Sequence, residues 1–267
     1  MKNKFFIYYI IALLIMPITS PAQWAKNIGG NASDRGSSIA NDGNGNVYIT
    51  GSFRGTADFD TGPGTTNLIG KGWTDIYFAK YDVSGLLLWA KSVGSTNSDG
   101  GNSIAVDGSG DVYVTGSFEG MADFDPGVGT TNLPWVGGDD IFFAKYKSSD
   151  GSLIWAKSIG AANGASEGGN SIAIDGSGNV YITGIFYGTV DFDPGPGTTN
   201  LTSAGYDIFF AKYSGNDGSL IWAKSVGGTT DNDKGNSVAI DGSGNVYITG
   251  HFFGTVDFDP GSGTANL

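Results

Sequence analysis

A chain of 267 residues with 46 glycines, 39% hydrophobic and 13% aromatic residues is neither collagen, for want of a G-X-Y period, nor disordered. The lack of cysteine excludes a disulfide scaffold, a thiol enzyme and a lipid-anchored lipoprotein. A formal charge of −12 argues against nucleic acid or an anionic membrane as partner, since both require a basic footprint.

Residues 1–22 read as a signal peptide. Lys2 and Lys4 precede an apolar run from Phe5 to Met16, and Ser20 and Ala22 lie at cleavage spacing. The run is shorter than the ~20 residues of a spanning helix. Export to the cell surface or medium is therefore expected, with no membrane span after the segment is removed.

Residues 23–267 read as one repeat domain. Trp-Ala-Lys recurs at Trp24, Trp89, Trp155 and Trp222, which divides the chain into units 24–88, 89–154, 155–221 and a partial 222–267. Each unit runs in one order. A tryptophan strand is followed by an Ile-Ala-Ile type strand (Ser171 to Asp175) and a glycine turn. Val180-Tyr181-Ile182-Thr183-Gly184 comes next, then an acidic stretch through Asp191-Phe192-Asp193, and last the strand Asp207 to Tyr213. Asp175-Gly176-Ser177-Gly178-Asn179 and Asn216-Asp217-Gly218-Ser219 have the composition of hairpin turns. Ile208-Phe209-Phe210-Ala211 is apolar without alternation, as expected for a sheet covered on both faces. The pattern predicts an all-β fold, a β-propeller of ~65-residue repeats, about 3.7 units in an incomplete ring. A parallel β-helix is the rival. The segment between Tyr187 and Leu201 exceeds what a four-stranded blade needs and is expected to form a loop or small extra hairpin.

Ser-Ile-Ala-x-Asp-x-x-Gly-Asn-Val-Tyr-x-Thr-Gly, with Asp-x-Phe-x-Ala-Lys-Tyr and Trp-Ala-Lys, resembles the SBBP-type repeat of secreted bacterial proteins, and more broadly the NHL-like propellers. The resemblance covers residues 23 to 267. It implies the fold and export, and little about activity; the long acidic loop departs from the shortest members. The last unit stops at Leu267, before its Asp-x-Phe-Phe strand. A fragment is the expectation, and self-association of a half-ring is the alternative if the chain is complete.

Candidate sites follow from the repeats. Asp-Phe-Asp places Asp58 with Asp60, Asp123 with Asp125, Asp191 with Asp193 and Asp257 with Asp259 on one face of an extended segment. Such oxygen pairs suit Ca²⁺, and ordinary turn chemistry explains the same pattern. No cofactor is otherwise expected. The four repeated tryptophans read as packing between blades. Recognition is assigned to stations whose residues differ between units. These are Arg54, Glu119, Tyr187 and Phe253 in Phe-x-Gly-Thr, together with Trp73, Trp135 and Tyr206. The expected partner is a protein or a glycan. No catalytic constellation is legible: His251 is the lone histidine, and the acidic pairs repeat as active sites do not. The expected function is a non-catalytic binding or display scaffold. A propeller hydrolase or lyase with catalytic residues outside this chain, and a calcium-stabilised adhesin element, are the alternatives.

Overall fold

The computed structural model describes residues 24–228 and 232–267. The signal-peptide segment 1–22 lies outside the described residues. Within them the chain is all strand and turn, and no helix is long and apolar enough to cross a membrane.

Three antiparallel four-stranded sheets follow one another. The first contains β2 (Arg35–Asn41), β3 (Val47–Phe53), β6 (Asp75–Tyr81) and β7 (Leu87–Val93). The second contains β8 (Gly100–Val106), β9 (Val112–Phe118), β10 (Asp140–Tyr146) and β11 (Leu153–Ile159). The third contains β12 (Gly168–Ile174), β13 (Val180–Asp191), β14 (Asn200–Tyr213) and β15 (Leu220–Val226). Two strands of a fourth, β16 (Lys234–Ile240) and β17 (Val246–His251), complete the series. These are propeller blades, and among the described residues the ring is open. The tryptophan strand closes each blade as its outermost strand, so blades and sequence units are out of phase by one strand.

The core lies between blades. Phe142, Ala144 and Tyr146 of β10 pack with Tyr48, Ile76 and Phe78 of the first blade. Ile141 and Phe143 of the same strand pack with Ile172, Ile182 and Phe209 of the third. Alternate side chains thus enter two different cores, which is why the strand is apolar throughout. Inner strands are joined in a ladder. Asn102 Nδ2 donates to the Gly169 carbonyl (3.0 Å) and Asn170 Nδ2 to that of Gly235 (2.9 Å). The hydroxyls of Ser38, Ser103 and Ser171 accept the amides of Ile104, Ile172 and Val238, one blade further on.

The surplus segment, expected as a loop or small extra hairpin, is a hairpin in the first and third blades and a loop closed by one Asp123–Asn132 bridge in the second. In the first blade β4 (Thr56–Asp58) pairs with β5 (Asn67–Ile69), and β1 (Gly29–Gly30) joins them as a third strand. In the third blade β13 and β14 simply run on, pairing as far as Asp191 with Asn200.

Candidate functional site: displayed turns on acidic anchors

In each blade a phenylalanine at or near the end of the second strand's pairing (Phe53, Phe118, Phe186 or Phe252) is followed by a variable residue at a tight turn. Arg54, Glu119, Tyr187 and Phe253 each precede a glycine at φ of 71°, 81°, 72° and 68°, a conformation that costs other residues strain. One acidic side chain stands behind each turn. Asp99 accepts the amides of Ser95 (2.6 Å) and Glu119 (3.0 Å), one on each oxygen. Asp233 accepts those of Gly228 (2.7 Å) and Phe253 (2.8 Å). Asp34 accepts those of Gly30 (2.7 Å) and Arg54 (3.3 Å). In the third blade Glu167 takes this place, with the Ala161 and Tyr187 amides near it but outside hydrogen-bond geometry. The acid holds the turn amide at Arg54, Glu119 and Phe253, in the third blade the Tyr187 carbonyl instead accepts Asn163 Nδ2 (2.7 Å), and the side chain each turn carries differs.

In the first and third blades the structure brings these side chains together with the second variable station; no contact joins Glu119 to Trp135 among the described residues. The Arg54 guanidinium lies 4.6 Å from the centroid of the Trp73 ring. Tyr187 and Tyr206 are register partners with rings 5.3 Å apart. Trp135 donates its indole N–H to the Gly138 carbonyl (2.6 Å). Trp73 is 65% exposed and Phe253 55%, and Trp135 and Tyr187 are also exposed. Phe253 meets His251 edge-on at 6.0 Å. His251 has no carboxylate within ion-pair distance among the described residues.

The Asp-Phe-Asp carboxylates hold turns. Asp58 accepts from the Asp60 and Thr66 amides (3.0 and 2.8 Å), and Asp60 from the Gly62 amide (2.7 Å). The pattern recurs at Asp123 and Asp125, at Asp191 and Asp193, and at Asp257 and Asp259. Of the phenylalanines between them, Phe59, Phe124 and Phe192 are buried and Phe258 is half-buried. Among the described residues no three His, Cys, Asp or Glu side chains converge on a metal-sized site. Asp175 caps its hairpin through the Ser177 and Asn179 amides, both at 2.9 Å. Partial burial works to raise this carboxyl, and the hydrogen bonds together outweigh it and hold the group low, at about 2.

Sequence reading missed a second set of acids. Each third strand carries a buried aspartate just before its apolar run, Asp75, Asp140 or Asp207, and each sits beside the turn anchor of the following blade. Burial pushes Asp99 up to about 6, Asp140 to about 7, Glu167 to about 8 and Asp207 to about 6. The neighbouring acid adds to the rise for Asp99, Glu167 and Asp207. The signal for these pairs was faint. A methyl group at Gly160 or Gly227 would strike the Asp140 or Asp207 carboxylate, so the glycine after each Lys-Ser-Val/Ile marks the place.

Comparison with known proteins supports the fold. The SBBP beta-propeller repeat model matches residues 23–52, 154–184 and 221–251. An uncharacterized WD repeat-containing protein of Acanthamoeba polyphaga mimivirus is 28% identical over 250 residues, 82% of this chain and 18% of the relative. The regulatory protein FlaEY of Caulobacter vibrioides is 26% identical over 208 residues, 74% of this chain and 20% of the relative. The chain therefore spans about a fifth of the length of these relatives. Three four-stranded blades, and repeat matches that recur along the chain, make this a β-propeller repeat protein with repeats similar to the SBBP type.

Proposed function

We propose that the chain is an exported, non-catalytic display module whose turn face binds a protein partner. One observation carries the reading: different side chains stand at the same turn in successive blades, with the turn amide held by an acid in three of the four. Arg54 over Trp73, and Tyr187 against Tyr206, are preorganised pairs. Aromatic and arginine side chains held this way lose little entropy on contact and supply much of the binding energy at protein interfaces. WD-repeat and regulatory relatives are in keeping with a protein partner. The flat exposed rings of Trp73 and Trp135 also suit stacking on a sugar, so a glycan is the second reading. Absence of catalysis is supported by the repeated acids being engaged in turns and anchors. Export is supported by the positively charged and apolar character of residues 1–22.

The test is a W73A/Y187A double variant, screened beside the parent chain on a displayed surface-protein library and on a glycan array. A loss of at least roughly tenfold in binding with an unchanged melting temperature is expected. Undiminished binding by the double variant would remove this face from consideration. Hits confined to the glycan array would select the second reading.

A further inference from the structure

Where the second blade hands over to the third, the Glu167 amide donates to the Asp139 carbonyl (2.7 Å) and so sets Glu167 beside Asp140, and both acids are buried, 1% and 0% exposed. The counterparts of Glu167, Asp99 and Asp233, use both oxygens on backbone amides. Glu167 does not. It has a longer side chain, and the link from Gly160 to Glu167 is two residues longer than the link from Gly94 to Asp99. Neither Glu167 oxygen has a hydrogen-bond partner, and neither does Asp140 Oδ1. The remaining oxygen, Asp140 Oδ2, accepts the Val136 amide at 2.9 Å. Among the described residues neither acid has an ion-pair partner.

Unpaired buried carboxylate oxygens are costly, so their occupant can be deduced by counting. A shared proton bridges two oxygens and leaves the third unpaired. A divalent cation accepts all three, with Glu167 bidentate and Asp140 monodentate, and offsets both charges. An oxygen-only donor set belongs to a hard ion, and Ca²⁺ tolerates irregular geometry better than Mg²⁺. The approach is electronegative. Asp140 borders an open cavity of about 340 Å³ whose other lining includes Asp191 and Asp193, with Lys157 as the one basic side chain in it.

We propose that Asp140 and Glu167 bind a calcium ion at the junction of the second and third blades, distinct from the Asp-Phe-Asp turns. Water and carbonyls of the Ala161–Ala165 link complete its shell, and the ion locks Tyr187 and its turn to the preceding blade.

The experiment uses the full chain, stripped with EDTA and dialysed into buffer at pH 7.5. Addition of 1 mM CaCl₂ is expected to raise the melting temperature by about 5 °C. E167Q and D140N should each abolish that rise, and D60N should retain it. Terbium supplies a second readout that does not depend on those variants folding. Trp135 stands in the loop that leads into Asp140, so Tb³⁺ luminescence excited through tryptophan should fall at least roughly threefold in W135F. No calcium-dependent rise in the stripped parent chain would overturn the site in favour of a shared proton. A rise kept by E167Q and lost by D60N would move the ion to the turns and overturn it equally.

Discussion

The indole N–H of Trp89 donates to the carbonyl of Ser148, 3.0 Å away in the next blade. Trp24 does the same to Val83 (3.0 Å) and Trp155 to Gly215 (3.2 Å). Trp89 also packs edge-on within its own blade, on Tyr48 and Phe78. The residue that closes one blade is therefore a tether to its successor. Trp222 keeps the ring contacts with Tyr181 and Phe210 but has no such acceptor among the described residues. W89F and W155F should each destabilise the chain by about 1 kcal/mol through the lost hydrogen bond, beyond any packing loss. W222F should show the packing loss alone. Urea melts of the three variants check this, and equal losses at all three positions would contradict it.

The Asp75–Asp99 pair predicts a pH dependence. Burial raises both carboxyls, Asp99 to about 6, with backbone amides and Lys71 offsetting part of the rise at Asp75. The folded chain keeps protons that the unfolded chain has already released. Their stabilisation is complete below about pH 4 and declines as pH rises to about 6. D75N keeps an oxygen for the Lys71 and Gly72 amides and turns a donor toward Asp99. In EDTA it should flatten the decline and melt a few degrees above the parent chain at pH 7. A lower melting temperature for D75N at pH 7 would refute the repulsion.

Glycine at 160 is required by contact. A Cβ there would collide with the Asp140 carboxylate, whereas one at Gly176 meets nothing within 4 Å. G160A should cost about 2 kcal/mol or more, and G176A should be within about 0.5 kcal/mol of the parent chain. Chemical denaturation of the pair measures the difference.

Beside β17 lies a cavity of about 580 Å³ lined by Phe210, Val226, Ile248, Phe252 and Phe258. Tyr247 is 56% exposed, while its counterparts Tyr48, Tyr113 and Tyr181 are buried. Thr249 is exposed as well, whereas Thr50, Thr115 and Thr183 donate to a carbonyl of the third strand. A peptide with the sequence of residues 207–226 should therefore add to this edge by strand pairing and raise the melting temperature. A peptide with Phe209 and Phe210 changed to serine should not, as a fluorescence-anisotropy titration would show.

Elements whose hydrogen bonds close within a few residues were legible in the sequence. Asp175 caps its own hairpin, and Asp191 folds its own loop onto the Thr199 amide, so composition and spacing suffice. An unbroken apolar run such as Ile141 to Ala144 likewise foretold a strand covered on both faces, since its alternate residues enter two cores. The acid pairs were not legible, because Asp140 finds Glu167 only after two blades have packed. Glu167 is also hidden at a changed spacing and under a changed identity. The variable stations could be named from the repeats, but the stacking of Arg54 on Trp73 depends on how far apart two loops come to rest.

The serine and asparagine ladder on the inner strands has a consequence for how such chains change over evolutionary time. Ser38 to Ile104, Ser103 to Ile172 and Ser171 to Val238 are one joint used three times. A blade's leading surface fits the trailing surface of any sibling, so a duplicated or deleted unit re-forms the joint without a mismatched seam. Copy number is thereby free to drift by recombination, while each blade's turn residue diverges on its own.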